Sequence, residues 1–187
     1  MFSTSITDGV VILRPLRADD AVLMYEAICE SLTDLNLWMS WAHDDYQKEE
    51  ARDWITVAQA GWNDGSYFGF SISDSQLGRF LGACSLSNIH PIYHFCNLGY
   101  WIRTTQRGHG FAGRAARLVA RFAFERLKLL RVEIVTAPEN ISSQKVAEKI
   151  GAHRKGILLN RMVVRSSVYD AVMYSLVPKD FGFPSRL

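Results

Sequence analysis

The stretch from residue 97 to 126 constrains this chain most. A strand-like run, "NLGYWIR", leads through "TTQRGHGFAG" into a helix-like segment whose apolar stripe falls at Ala115, Leu118, Val119, Phe122 and Ala123. Arg107 opens a loop that holds three glycines, Gly108, Gly110 and Gly113, together with Ala112. A strand-to-helix junction leaves backbone N–H groups unpaired, and the helix dipole adds positive potential, so the junction favours an anion. Gly108 and Gly110 remove Cβ atoms that would hold a phosphate away, Ala112 keeps the helix start small, and Arg107 adds charge. The P-loop pattern GxxxxGK[ST] is absent. A dinucleotide fold is disfavoured, because no acidic residue about twenty positions on ends a following strand. The same residues also suit a plain tight turn, and the rest of the chain has to decide.

On either side of the junction, the pattern reads as one α+β domain. "VVILRPLRADD" is a strand, a proline stop and a helix start at Asp19 or Asp20; "AVLMYEAICESL" continues as helix. "NLWMSWAHDDY" is an aromatic loop, and "QKEEARDWITVAQAGWNDG" is a second helix ended by Gly65. Two strands joined at "DSQLG" follow, then "FCNLGYWIR". After the glycine loop and its helix come a buried strand, "LLRVEIVTA", and a helix, "PENISSQKVAEKIGA", that stops at Gly151. "RKGILL" and "SVYDAVMYSLVP" close the chain as an antiparallel pair, so residues 1–178 read as the domain and 179–187 as a tail.

Composition narrows the partners. The chain has 187 residues, of which 48% are hydrophobic, which excludes a disordered chain. A net charge of +2 is too small for a general nucleic-acid binder. No run of about eighteen apolar residues is present, so no membrane span is expected. The N-terminus has no basic start and no small-residue cleavage pattern, so no signal peptide is expected and the reading is cytoplasmic. Cys29, Cys84 and Cys96 are odd in number and lack CxxC spacing, as core residues in a reducing compartment would be. His90 and His94 stand four apart, but Pro91 between them argues against a helix, so no metal site is expected.

The run from "NLGYWIR" to "VAEKIGA" resembles the acetyl-coenzyme A signature of the GCN5-related N-acetyltransferase (GNAT) superfamily. Its R/Q-x-x-G-x-G/A pattern is met by Arg107, Gly108, His109, Gly110, Phe111 and Ala112. "LRPLRADD", "LWMSW" and "YDAVMYSLVPKDF" extend the likeness over nearly the whole chain, toward the RimJ/RimL-type branch that acetylates protein N-termini, those of ribosomal proteins included. The resemblance implies a single domain with a mixed, mostly antiparallel sheet, flanked by helices and splayed at the acetyl-coenzyme A site. It implies that Trp101, Ile102 and Arg103, next to Tyr100, run beside pantetheine, while residues 107–113, with Gly113 closing the loop, hold the pyrophosphate. Asn140 and Ser143 would meet the pantetheine arm and the leaving sulphur. Many members place a tyrosine acid four positions after this serine; Ala147 stands there, which leaves Ser143 as the leading donor to the departing thiolate.

Other positions stay open. Arg114, Arg117, Arg121 and Lys145 read either as a solvated charged face or as a contact to the adenosine phosphate. Trp38 and Trp41, with Met39, are core anchors or the wall of a substrate groove. Relatives carry a base Glu where this chain has Lys155 or Asn97, which leaves Glu133 and Asp170 as carboxylates without an argued role. The implied activity is acetyl transfer from acetyl-coenzyme A, without metal, to a protein or peptide N-terminus, by a monomer or homodimer. A small amine such as a polyamine or antibiotic is the alternative acceptor. A coenzyme A sensor without turnover and a partner-binding protein using the aromatic loop are the alternatives to an enzyme.

Overall fold

The computed structural model describes residues 5–184. In chain order the elements are β1 (Ile6–Thr7), β2 (Val11–Pro15), α1 (Asp20–Leu35), α2 (Lys48–Asp64), β3 (Phe68–Asp74), β4 (Phe80–Ser87) and β5 (Phe95–Ile102). They continue as α3 (Phe111–Glu125), β6 (Arg131–Thr136), α4 (Ile141–Lys149), β7 (His153–Val164) and β8 (Ser167–Leu176). The strands form one sheet in the order β1-β2-β3-β4-β5-β6-β8-β7, and among the described pairs only β5 and β6 run parallel. This is the mixed, mostly antiparallel sheet expected. The two-residue β1 and the full twelve-residue length of β7 were not read from the sequence.

Side-chain alternation divides the sheet into two apolar faces. Cys96, Leu98, Val132, Ile134, Tyr174 and Leu176 pack under α3, whose Ala115, Val119, Phe122 and Ala123 are buried. Leu118 of the expected stripe is only partly buried at its margin. On the other face Ala83 and Trp101 join Leu16, Met24, Ile28 and Ile55 under α1 and α2. Arg14 of β2 donates to both carboxylate oxygens of Asp20, each at 2.7 Å, and the Arg17 amide donates to Asp20 at 2.8 Å. Asp20 is only 2% exposed, so this pair anchors the start of α1 on the sheet. Cys84 and Cys96 are buried and free, and burial pushes the Cys96 thiol up to about 12.

Gly82 shows why the β4–β5 crossing needs glycine. Its φ is +154°, and a Cβ there would lie 2.1 Å from the Trp101 carbonyl oxygen. Removing the side chain lets β4 and β5 stay paired as far as Gly82 and Ile102. The β5–β6 pairing behaves differently. It starts at Phe95 and Arg131 and ends at Asn97 and Glu133. β6 goes on pairing with β8 as far as Thr136, while residues 98–102 have lost β6. The sheet therefore splays between β5 and β6, beside the start of α4. Beyond β8, Phe181 and Phe183 pack against the α3 core, with the Arg117 guanidinium 4.9 Å above the Phe181 ring.

Candidate active site

The loop before α3 is shaped by glycine conformations. Gly108 and Gly110 have φ of +83° and +79°, and a Cβ on either would meet nothing within 4 Å. Space is open there, so glycine is required by the left-handed backbone rather than by crowding. Gly110 caps α3, and its carbonyl accepts the Arg114 amide at 3.2 Å. The amides of the first helical turn, at Phe111, Ala112 and Gly113, have no intrahelical partner, and these residues line a cleft of about 410 Å³. Gly108, Gly110 and Gly113 stand at G-x-G-x-x-G spacing. What separates the site from a dinucleotide fold is the sheet, where β5 has antiparallel β4 on one side and a splay on the other.

Upstream, α1 holds the segment that enters this loop. Glu30 accepts from Arg103 through Nε at 3.0 Å and through Nη2, and from the Thr105 amide and hydroxyl at 3.1 and 2.7 Å. One turn on, Asp34 accepts from the Thr104 hydroxyl at 2.6 Å and pairs with Arg107 at 2.7 Å. Ser31 accepts the Thr104 amide at 3.0 Å. The Arg103 guanidinium holds the Glu30 carboxyl down at about 2, and the Thr104 hydroxyl, then Arg107, lowers that of Asp34. Residues 30, 31 and 34 thus fix 103–107 on the end of α1. Sequence reasoning missed this, because the partners lie about seventy residues apart.

Across the splay stands α4. Asn140 caps it, accepting the Ser143 amide at 3.1 Å and the Ser142 hydroxyl at 2.9 Å, so its side-chain oxygen is engaged and its NH₂ remains. Tyr100, from β5, donates to the Ser143 carbonyl at 3.0 Å and places its hydroxyl 3.2 Å from Ser143 Oγ. Burial raises the Tyr100 phenol, so it stays protonated at neutral pH. Position 147 carries no tyrosine, yet a tyrosine from the neighbouring strand reaches the same serine. A second, smaller cavity lies among Leu16, Met24, Trp41, Tyr46, Trp54 and Tyr67, and it meets the cleft at Met39, Tyr100 and Trp101.

A family model described as an acetyltransferase (GNAT) domain matches residues 11–153. The chain belongs to the GNAT acetyltransferase family. It is 29% identical, over 97% of its length and 98% of the relative's, to a putative ribosomal N-acetyltransferase, YdaF, of Bacillus subtilis (strain 168). Among solved structures, a putative ribosomal-protein-serine acetyltransferase from Vibrio cholerae is 28% identical, covers 94% of this chain and 98% of its own, and superposes with a TM-score of 0.83. RimL, a ribosomal alpha-N-protein acetyltransferase solved with coenzyme A, has a TM-score of 0.86 over 93% of this chain and 98% of its own; at 18% identity it shows the shared fold.

Within this GNAT domain the sequence-marked residues separate into groups. Trp101, Ile102, Arg107, Gly108, Gly110, Phe111, Ala112, Gly113, Asn140 and Ser143 all line the cleft. Arg103 and His109 do not: Arg103 turns to Glu30, and the His109 ring stacks on Phe111 at 5.8 Å. Trp38 and Trp41 do not share one groove, since Trp38 lines the cleft and Trp41 the aromatic cavity. Arg114 pairs with Asp8, Arg121 with Glu125, and Arg117 donates to the Ile150 carbonyl. Among the described residues, the cations lining the cleft besides Arg107 are Lys145 and Lys149, one turn apart on α4, and the i,i+4 spacing could have flagged the second. Glu133 sits beside Asn97 in register and lies 2.8 Å from Arg131 Nε, off the N–H direction, as an ion pair rather than a hydrogen bond. Asp170 accepts the Asn160 amide in the β7–β8 hairpin.

Proposed function

We propose that this acetyltransferase moves the acetyl group of acetyl-coenzyme A to the α-amine of a protein or peptide N-terminus, a ribosomal protein among the candidates, in the cytoplasm. The observation that carries the reading is the splay between β5 and β6, bounded by the α3 amides at one end and by the Tyr100–Ser143 pair at α4. Acetyl-coenzyme A fits the residues present. The unpaired edge at 98–102 offers backbone groups to an extended pantetheine, as an added strand would. The amides of 111–113 suit the pyrophosphate, with Lys145 and Lys149 at hand for further phosphate charge.

In this reading a neutral amine attacks the thioester carbonyl carbon, and the tetrahedral species collapses as the carbon–sulphur bond breaks. The sulphur takes a proton from Ser143, which Tyr100 holds in place; the nitrogen gives its proton to solvent, and solvent returns one to the Ser143 oxygen. An α-amine has a pKa of about 7.7–8.0 and lysine about 10.4, so at neutral pH the α-amine needs far less help to be neutral. The usual base positions carry Lys155 and Asn97, which favours the α-amine. A polyamine or aminoglycoside fits less well, because no carboxylate among the described residues lines the aromatic cavity.

Thiol release from acetyl-coenzyme A, measured against N-terminal peptides, polyamines and aminoglycosides, tests the reading. Peptides with a free α-amine should turn over, and blocking that amine should stop the reaction while blocking lysines should not. Faster turnover of lysine-only or polyamine acceptors would overturn it.

A further inference from the structure

The aromatic cavity beside the cleft has a chemistry of its own. Trp41 joins the rings of its lining, 6.2 Å from Tyr46, 6.0 Å from Trp54 and 6.3 Å from Trp101. Tyr67 meets Trp54 edge-on at 6.0 Å, and Met24 and Met39 complete the wall. The polar side chains present are neutral: burial pushes the Tyr67 phenol up to about 12, and the Tyr46 phenol is raised for the same reason. Among the described residues no Asp, Glu, Lys, Arg or His lines the cavity. Its volume is about 100 Å³. That is less than the roughly 150 Å³ of an apolar protein cavity that takes a benzene ring. Trp54, 36% exposed, stands at the rim, and Gly99 and Ala83 leave the β4–β5 floor bare.

The cavity and the cleft meet at Met39, Tyr100 and Trp101, the point where an acceptor amine would face a thioester beside Ser143. A group attached next to that amine enters the aromatic cavity. We infer that this cavity is the pocket for the side chain of the acceptor's first residue, and that it selects an uncharged aliphatic side chain of about leucine size. The inference rests on the proposed N-terminal acceptor. A charged first residue would lose its hydration with no partner in the pocket, and a serine hydroxyl would leave much of the apolar wall uncovered. Leucine or methionine covers that wall, whereas a tryptophan overfills it.

The test is a set of peptides identical except for the first residue: Ala, Ser, Leu, Met, Trp, Asp and Lys. Leucine or methionine should exceed alanine in kcat/KM by about ten- to a hundredfold, with aspartate and lysine below alanine. Gly99→Ala narrows the pocket at little structural cost, since the new Cβ meets Ser85 Oγ at 3.6 Å. It should shrink the leucine-to-alanine ratio about tenfold. Trp54→Ala, at the rim, should shift the optimum toward larger side chains. Serine or alanine turning over as fast as leucine overturns the pocket while leaving the N-terminal reading intact. Turnover of polyamines but of no free N-terminus overturns that reading instead. If no amine turns over, tryptophan fluorescence with coenzyme A present decides: tighter binding of leucinamide than of serinamide supports the pocket, and equal binding overturns it.

Discussion

At the scale of single residues, the Tyr100–Ser143 contact joins a strand and a helix 43 positions apart. Both residues line the cleft, and the buried phenol keeps its proton and donates a hydrogen bond to the Ser143 carbonyl, which leaves the Ser143 hydroxyl as the donor the proposed mechanism needs. Ser143→Ala should lower kcat about ten- to a thousandfold with a small change in acetyl-coenzyme A affinity. Tyr100→Phe should lower it about tenfold, and the double variant should lose less than the product of the two. A larger loss at Tyr100 than at Ser143 would exchange their roles. The family resemblance pointed to Ser143, and it could do so because "PENISSQ" is a contiguous helix start. It placed Tyr100 in the strand beside pantetheine but gave no sign of its contact with Ser143, which is set by how the sheet splays. For Arg103, next after the strand, the chain position was legible, but the pull of Glu30 on its side chain was not.

Among the elements, the end of α1 is the brace of the glycine loop. Glu30, Ser31 and Asp34 hold three consecutive backbone or side-chain groups of the incoming segment. Glu30→Gln should keep the fold and weaken acetyl-coenzyme A binding about tenfold, or about 1.4 kcal/mol. The same brace carries a pH signature. The carboxyl of Glu30 is depressed from its ordinary 4.5 to about 2, so its contribution is complete above about 4.5 and is lost as pH falls toward 2. Acid unfolding of the wild type should steepen across that window, and Glu30→Gln should flatten it. Unchanged acid unfolding in the variant would remove the brace from the stability argument. Long elements were legible because α2 and α3 carry a full helical period and end where glycine or polar residues say so. The two residues of β1 are too few to show alternation, and much of β7 is exposed, which erases the apolar rhythm that would mark its length.

For the molecule as a whole, the arrangement is a cofactor-sized cleft and a smaller apolar cavity meeting at one strand. The residues at the usual base positions are Asn97 and Lys155, and the adjacent Glu133 is paired with Arg131. If solvent takes the proton, the rate follows the acceptor's own ionisation. The expected profile of kcat/KM rises with pH and levels near about 7.7–8.0 for an α-amine acceptor. It should move when the acceptor's amine pKa is changed, and it should not move in Glu133→Gln. A plateau that tracks a fixed enzyme group across acceptors would overturn this.

The early end of the β5–β6 ladder also leaves a mark on amide exchange. On the side facing the splay, the backbone groups of 98–102 have no strand to bond, while the other side is tied to β4. In the free protein the splay-facing amides should therefore trade hydrogen with solvent far faster than those of β3, which has neighbours on both sides. Acetyl-coenzyme A laid along that edge should slow them selectively and raise the melting temperature with its concentration. In the proposed binding mode the protein is a sheet short of one strand, and its substrate would complete it.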